Sequence, residues 1–186
     1  MRRTWPLLLI LFATPALTHV PARLHADAVY VLPRPEVSSA LFGEFLTGAE
    51  HFVVKVTHAT RFGAPIEILV PHQADLFTHR PAWAVVGPGL PAPNAEELAA
   101  LPAPLPAGFG AVVDLNQVDP RPVIFESVMR RFYWTSGPLA VVLPKGESEL
   151  WIWSPGHTRG KFGLGYGVEE GGGYMAALQE WSFYAY

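Results

Sequence analysis

The chain has 186 residues, half of them hydrophobic and 16% charged, with a formal net charge of −3 at pH 7. That is enough apolar material for one core and too little charge for a disordered polyelectrolyte, and no basic block points to nucleic acid. Cysteine is absent, which excludes disulfides, thiolate metal sites and a cysteine nucleophile.

The chain opens with Met1-Arg2-Arg3, a positive start, followed by the apolar run Pro6 to Leu17. The run is too short for a membrane-spanning helix, which needs about 20 apolar residues. It has the length of a signal-peptide core, and small residues predict a cut after Ala22, with a second site after Ala28. An uncleaved N-terminal anchor is the alternative. Removing residues 1–22 takes away Arg2 and Arg3 and leaves a more acidic remainder.

Short strands separated by turn residues follow. Ala28–Leu32 ends at Pro33. Ser38–Leu46 is ambiguous between helix and strand, and Gly43 with the Thr47-Gly48 turn favours strand. His51–Thr57 alternates, with Phe52, Val54 and Val56 on one face, and Ile66–Val70 repeats the pattern. Pro71–Pro81 reads as loop and Trp83–Val86 as strand. Pro91–Gly108 is an alanine- and proline-rich insertion holding one short helix, Ala95–Leu101, with Asn94 as N-cap and Glu96 and Glu97 in its first turn. Ala111–Leu115, Val123–Glu126, Met129–Trp134 and Leu139–Leu143 are further strands, the last expected to be central.

Glu147–Ser154 and Lys161–Gly167 predict a hairpin whose loop holds Pro155, Gly156 and Gly160. After Gly171-Gly172-Gly173, the spacing of Met175, Leu178 and Trp181 predicts a short C-terminal helix. About nine or ten short strands with little helix define an all-β fold, an antiparallel β-sandwich or jelly roll. The expected mature domain is a single unit, residues 29–186, with the insertion at 91–108.

Several patterns bear on chemistry. Gly156 to Lys161 superficially matches a phosphate loop, but Phe162 replaces the required hydroxyl residue and no helix follows. Trp151 and Trp153 share a strand face and are candidate ligand-binding residues, an aromatic platform for sugar rings. The competing reading packs them onto glycine, with Trp151 opposite Gly163, Ile152 opposite Phe162 and Leu150 opposite Leu164. Asp114, Asn116 and Asp119 supply three oxygen side chains within six residues, a candidate Ca²⁺ loop, although Asx residues at a strand end also make turns. The histidines show no metal-ligand spacing. No nucleophile elbow occurs, and Glu126 beside Arg130 and Arg131 reads as a structural ion pair unless a second carboxylate joins it.

The segments SSALFGEFLTGAEHFVVKV, IEILVP, FESVMRRFYW and LPKGESELWIWSPGHTRGKFGLGYGVEE carry a resemblance over roughly residues 36–170. The chain resembles exported bacterial and archaeal β-sandwich proteins similar to the bacterial pre-peptidase C-terminal domain. The resemblance implies a jelly-roll-like sandwich, export, and an accessory or binding role without a catalytic centre. It assigns no functional residues, and the insertion has no counterpart in the group.

The expected function is therefore an exported, non-catalytic binding or accessory domain, periplasmic, cell-surface or secreted, whose partner is a protein or glycan of the cell envelope. Nucleic acid is not expected as a partner, contact with a membrane is expected only through an uncleaved leader, and no cofactor is expected, Ca²⁺ at Asp114, Asn116 and Asp119 being the one candidate. The alternatives are a secreted hydrolase or metal-dependent enzyme on the same fold, and a membrane-anchored structural protein.

Overall fold

The structure, a computed structural model, describes residues 19–126 and 129–168. Most of the expected leader, the triple glycine and the expected helix at Met175, Leu178 and Trp181 lie outside the described residues. The strands are β1 (Val20–Arg23), β2 (Tyr30–Val31), β3 (Ser39–Phe45), β4 (His51–His58), β5 (Phe62–Pro71), β6 (Ala82–Pro88), β7 (Phe109–Asp114), β8 (Val123–Glu126), β9 (Arg131–Thr135), β10 (Leu139–Leu143), β11 (Gly146–Trp153) and β12 (Gly160–Tyr166). Among the described residues one α-helix, α1 (Ala95–Ala100), lies between β6 and β7.

They form two sheets packed as a sandwich. The first has the order β1-β3-β12-β5-β9-β8, with β10 also paired to β5; the second has the order β2-β4-β11-β6-β7. Most pairs are antiparallel. The exceptions are the parallel pairs β1–β3 and β2–β4, in which the N-terminal segment lays one short strand along each sheet. β1 falls in a stretch that sequence reading assigned partly to the leader, and it spans the position of a cut after Ala22.

The period-2 patterns orient the core. Leu41 and Phe45 of β3, Ile66, Ile68 and Val70 of β5, and Phe162, Leu164 and Tyr166 of β12 point inward from the first sheet. Phe52, Val54 and Val56 of β4, Trp83 and Val85 of β6, and Leu150 and Ile152 of β11 meet them from the second. Phe45, Phe52 and Phe162 form a triad with ring centroids 5.1 Å apart. Gly43 makes room for it, because a Cβ there would lie 2.5 Å from the Phe162 ring.

Two expectations are corrected. β11 and β12 do not form a hairpin: β11 lies between β4 and β6 in one sheet, and β12 between β3 and β5 in the other. The residues after Trp153 arch across the core instead of turning within a sheet. Strand alternation records which face is buried, not which strand lies alongside, so it is satisfied equally by an arch and a hairpin. Leu150, Ile152, Phe162 and Leu164 do share the core, but from opposite sheets. β10 is likewise not central: among the described residues it pairs with β5 alone, and Leu139, Ala140 and Val142 are exposed.

Candidate binding surface

The outer face of the second sheet holds the two tryptophans singled out from the sequence. Trp151 lies between Val53 of β4 and Ala84 of β6, and Trp153 between His51 and Ala82. Small neighbours on β6 let the indoles lie down on the sheet. Leu101, Ala103 and Leu105 of the insertion then pack against this outer cluster. Trp151 is left 5% exposed and Trp153 4%. The Trp151 indole N–H donates to Glu149 Oε2 at 2.8 Å, and His51 stands edge-on to its ring. The glycines of β12 are not their receivers, since it is the Phe42 ring that lies over Gly163. Neither indole offers a free ring face for a sugar.

The insertion is thus a cover over this face. Asn94 Oδ1 accepts the N–H of Glu97 at 2.9 Å while the Glu97 carboxylate accepts the N–H of Asn94 at 2.8 Å, a reciprocal cap on α1. Its first residue, Pro91, is tied to β7, where Ala111 donates its N–H to Pro91 O at 2.8 Å.

The Asp114–Asp119 loop is gathered on an internal cation. Arg80 donates to Asp119 Oδ1 at 3.1 Å, Val118 O at 3.0 Å and Asn116 O at 3.4 Å. Asp114 Oδ1 accepts the N–H of Asn116 at 2.8 Å, and Asn116, in the left-handed region (φ 52°), donates its side-chain amide to Pro81 O at 3.1 Å. The geometry is an Asx turn closed by a guanidinium. Among the described residues, no three His, Asp or Glu side chains are grouped as metal ligands. Glu126 accepts the N–H of Met129 and so closes the bend between β8 and β9.

The polar groups missed in the sequence meet at the same end of the sandwich. Arg121 is buried and donates to the carbonyls of His79, at 2.9 Å, and of Phe77. Its guanidinium carbon lies 4.5 Å from the centroid of the Trp134 ring and 5.9 Å from that of Phe77. His72 packs on the same indole at 4.5 Å. His79 is fully enclosed and pairs through Nδ1 with Thr158 Oγ1 at 2.8 Å. Burial, and then the neighbouring Arg121 charge, push its pKa down to about 4.

Beyond Trp134 the inward face of the first sheet runs past its cover. Cross-strand register puts Val123 opposite Trp134 and Phe125 opposite Phe132, all on the face that leads into the core. Only Trp134 is covered. Val123 is 47% exposed, Phe125 55% and Phe132 57%, and the two phenylalanine rings sit 5.2 Å apart, tilted by 59°. Phe77, also exposed, extends the strip from the Trp134 side at 5.7 Å. The sequence identified both strands, but periodicity could not reveal that, among the described residues, their inward face has nothing above it. The available signal was the run of aromatics at alternate positions in FESVMRRFYW.

The class this architecture defines is a two-sheet β-sandwich with an aromatic strip at one end of its first sheet. No family model and no curated protein matches the chain. Among solved structures it is similar to the pre-peptidase C-terminal domain of collagenase from Bacillus anthracis, a 1.0 Å crystal structure. The identity is 12%, the TM-score 0.42, and the alignment covers 75% of this chain and 94% of that one. No helix among the described residues is long and apolar enough to cross a membrane.

Proposed function

We propose that this chain is an exported, non-catalytic accessory domain that docks on a protein of the cell envelope through the aromatic face of β8 and β9. The observation that carries the reading is the exposed pair Phe125–Phe132, continuous with Val123 and Phe77. Large apolar side chains held side by side in water favour a partner that removes them from it. The chemistry of the strip favours protein over glycan. The phenyl rings are tilted against each other and carry no polar group of their own, whereas a sugar platform needs open, coplanar faces with hydrogen-bonding groups at the rim. Export rests on the leader pattern of residues 1–22, the accessory role on the family resemblance.

A photo-crosslinking amino acid placed at Phe132 and, separately, at Leu98 on α1 tests this in cells that export the protein. A discrete adduct with an envelope protein at position 132 and none at 98 supports the reading. Equal labelling at both positions, or none at 132, overturns it. Retention of the wild-type domain on a glycan array, abolished by Phe132→Ser, would replace the protein partner by a sugar.

A further inference from the structure

Backbone geometry at the outer edge of β8 fits one partner closely, and we propose that two copies of this chain pair there, β8 against β8, antiparallel about Ile124. The register follows from the ladder. Phe132 gives its carbonyl to the N–H of His72 at 3.0 Å, on the side away from β8. Phe132 and Phe125 are therefore a non-hydrogen-bonded pair, and Phe125 turns its own N–H and C=O to the outer edge. The contact from Thr135 N–H to Pro122 O, 3.0 Å, fixes the same alternation at the other end and turns the N–H and C=O of Val123 outward as well. Among the described residues no strand pairs with this edge.

A two-fold axis through Ile124, perpendicular to the sheet, sets Val123 of each copy opposite Phe125 of the other. Every outward N–H and C=O of these residues then has a partner. The faces agree too. Val123 meets Phe125 of the second copy on the aromatic side, joining the two Phe125–Phe132 pairs into one strip, and Ile124 meets its own mate on the other side. Each Glu126 falls opposite Pro122 and stays about 13 Å along the strands from the other Glu126. A slip of one residue would oppose Val123 to Glu126 from contrary faces.

The two sheets treat their last strands differently. At β7, the N–H of Ala111 is taken by Pro91 of the insertion. Among the described residues β8 has no such guard: its outward residues are Val123 and Phe125, half exposed, without a charge or proline between them. Edge strands that stay single are commonly protected by such residues. A self-complementary register on an unguarded edge is the arrangement of an isologous dimer.

The dimer stands without the envelope-partner reading, and the two fail separately. Sedimentation equilibrium of the full chain, purified from the exported fraction, should show a monomer passing to a dimer across the micromolar range. Phe125→Pro removes an outward donor that β9 does not use, so the hairpin is kept while dissociation should become at least about ten-fold easier. Because the chain has no cysteine, Ile124→Cys reports on the axis alone. Opposed Cβ atoms in a non-hydrogen-bonded pair lie about 5 Å apart, within reach of a disulfide, and the variant should oxidise to a covalent dimer while Glu96→Cys on α1 stays a free thiol. A monomer at all concentrations, a dimer indifferent to Phe125→Pro, or equal oxidation of the two cysteine variants would overturn the proposal. A monomer that still forms the position-132 adduct with an envelope protein overturns the dimer only; a dimer without that adduct overturns the partner only.

Discussion

The guanidinium of Arg121 stacks on the indole of Trp134, 4.5 Å from its centroid, and ties the last loop before β8 to the strand that carries the exposed aromatics. The same side chain holds the carbonyls of Phe77 and His79. Arg121→Met keeps some of the packing but leaves those carbonyls without donors and removes the charge from the ring. Each stranded acceptor costs about 1–3 kcal/mol, so the variant should lose roughly 3 kcal/mol in urea unfolding. Arg121→Lys, with a point charge in place of the planar fork, should recover less than half of that. A loss under about 0.5 kcal/mol for the methionine variant would show that the stacking is incidental.

The enclosure of His79 predicts a pH dependence. Its pKa lies near 4 in the fold, against about 6.5 in an unfolded chain. The unfolded chain therefore binds the proton first as pH falls. Stability is fully present above pH 6.5, declines as pH drops from there towards 4, and levels off below. The gap corresponds to roughly 3 kcal/mol over that window. Burial lowers the pKa of His51 and His58 as well, so they add in the same direction. Denaturation midpoints measured between pH 7 and pH 4 should fall steeply for the wild type and less steeply for His79→Gln. Equal slopes would mean that His79 is open to solvent in solution.

How far the sequence could be read depended on the range of the forces involved. Alternation in His51–Thr57 and Ile66–Val70 located β4 and β5 because the face that meets the core is a local property. The helix at Ala95 was legible for the same reason, since its cap is made within four residues. Strand partners were not legible. Whether Trp151 neighbours Gly163 or Ala84 depends on which sheet each strand joins, and both arrangements bury the same residues. The binding strip was hidden by a related gap. Phe125 and Phe132 have the pattern of core residues, and only the extent of the opposing layer decides that they end in water. Arg121 gave no signal, because its partners are backbone carbonyls more than forty positions away.

The cover over Trp151 and Trp153 predicts an optical change. Leu101 and Leu105 pack on the outer cluster from the insertion. Replacing both by serine should open the indoles to water without touching any strand. Tryptophan emission should then shift to the red and become more accessible to acrylamide, with a stability loss of about 2 kcal/mol for two partly buried leucines. Unchanged quenching would mean that the indoles are shielded by something other than the insertion. Binding of a sugar by the serine variant alone would identify the insertion as a plug over a latent platform.

β1 makes the position of any leader cut a question of stability. Val20 donates its N–H to Ser38 O at 2.8 Å, and Leu24 donates to Phe42 O at 2.7 Å. Leu24 is buried in the main core, with Ala22 packed beside it. A chain beginning at Arg23 keeps Leu24 but loses most of the strand that pairs with β3, exposing the edge of β3. A chain beginning at Val29 loses Leu24 too, and burial of a leucine side chain is worth about 2 kcal/mol. Urea midpoints should therefore fall in the order His19, Arg23, Val29 for chains starting at those residues, with the largest step between the last two. If the chain starting at Val29 is as stable as the one starting at His19, β1 contributes nothing to the sandwich, and a cut after Ala28 is free of structural cost. If the order holds, the N-terminus of the exported protein, read by mass spectrometry, is expected upstream of Val20.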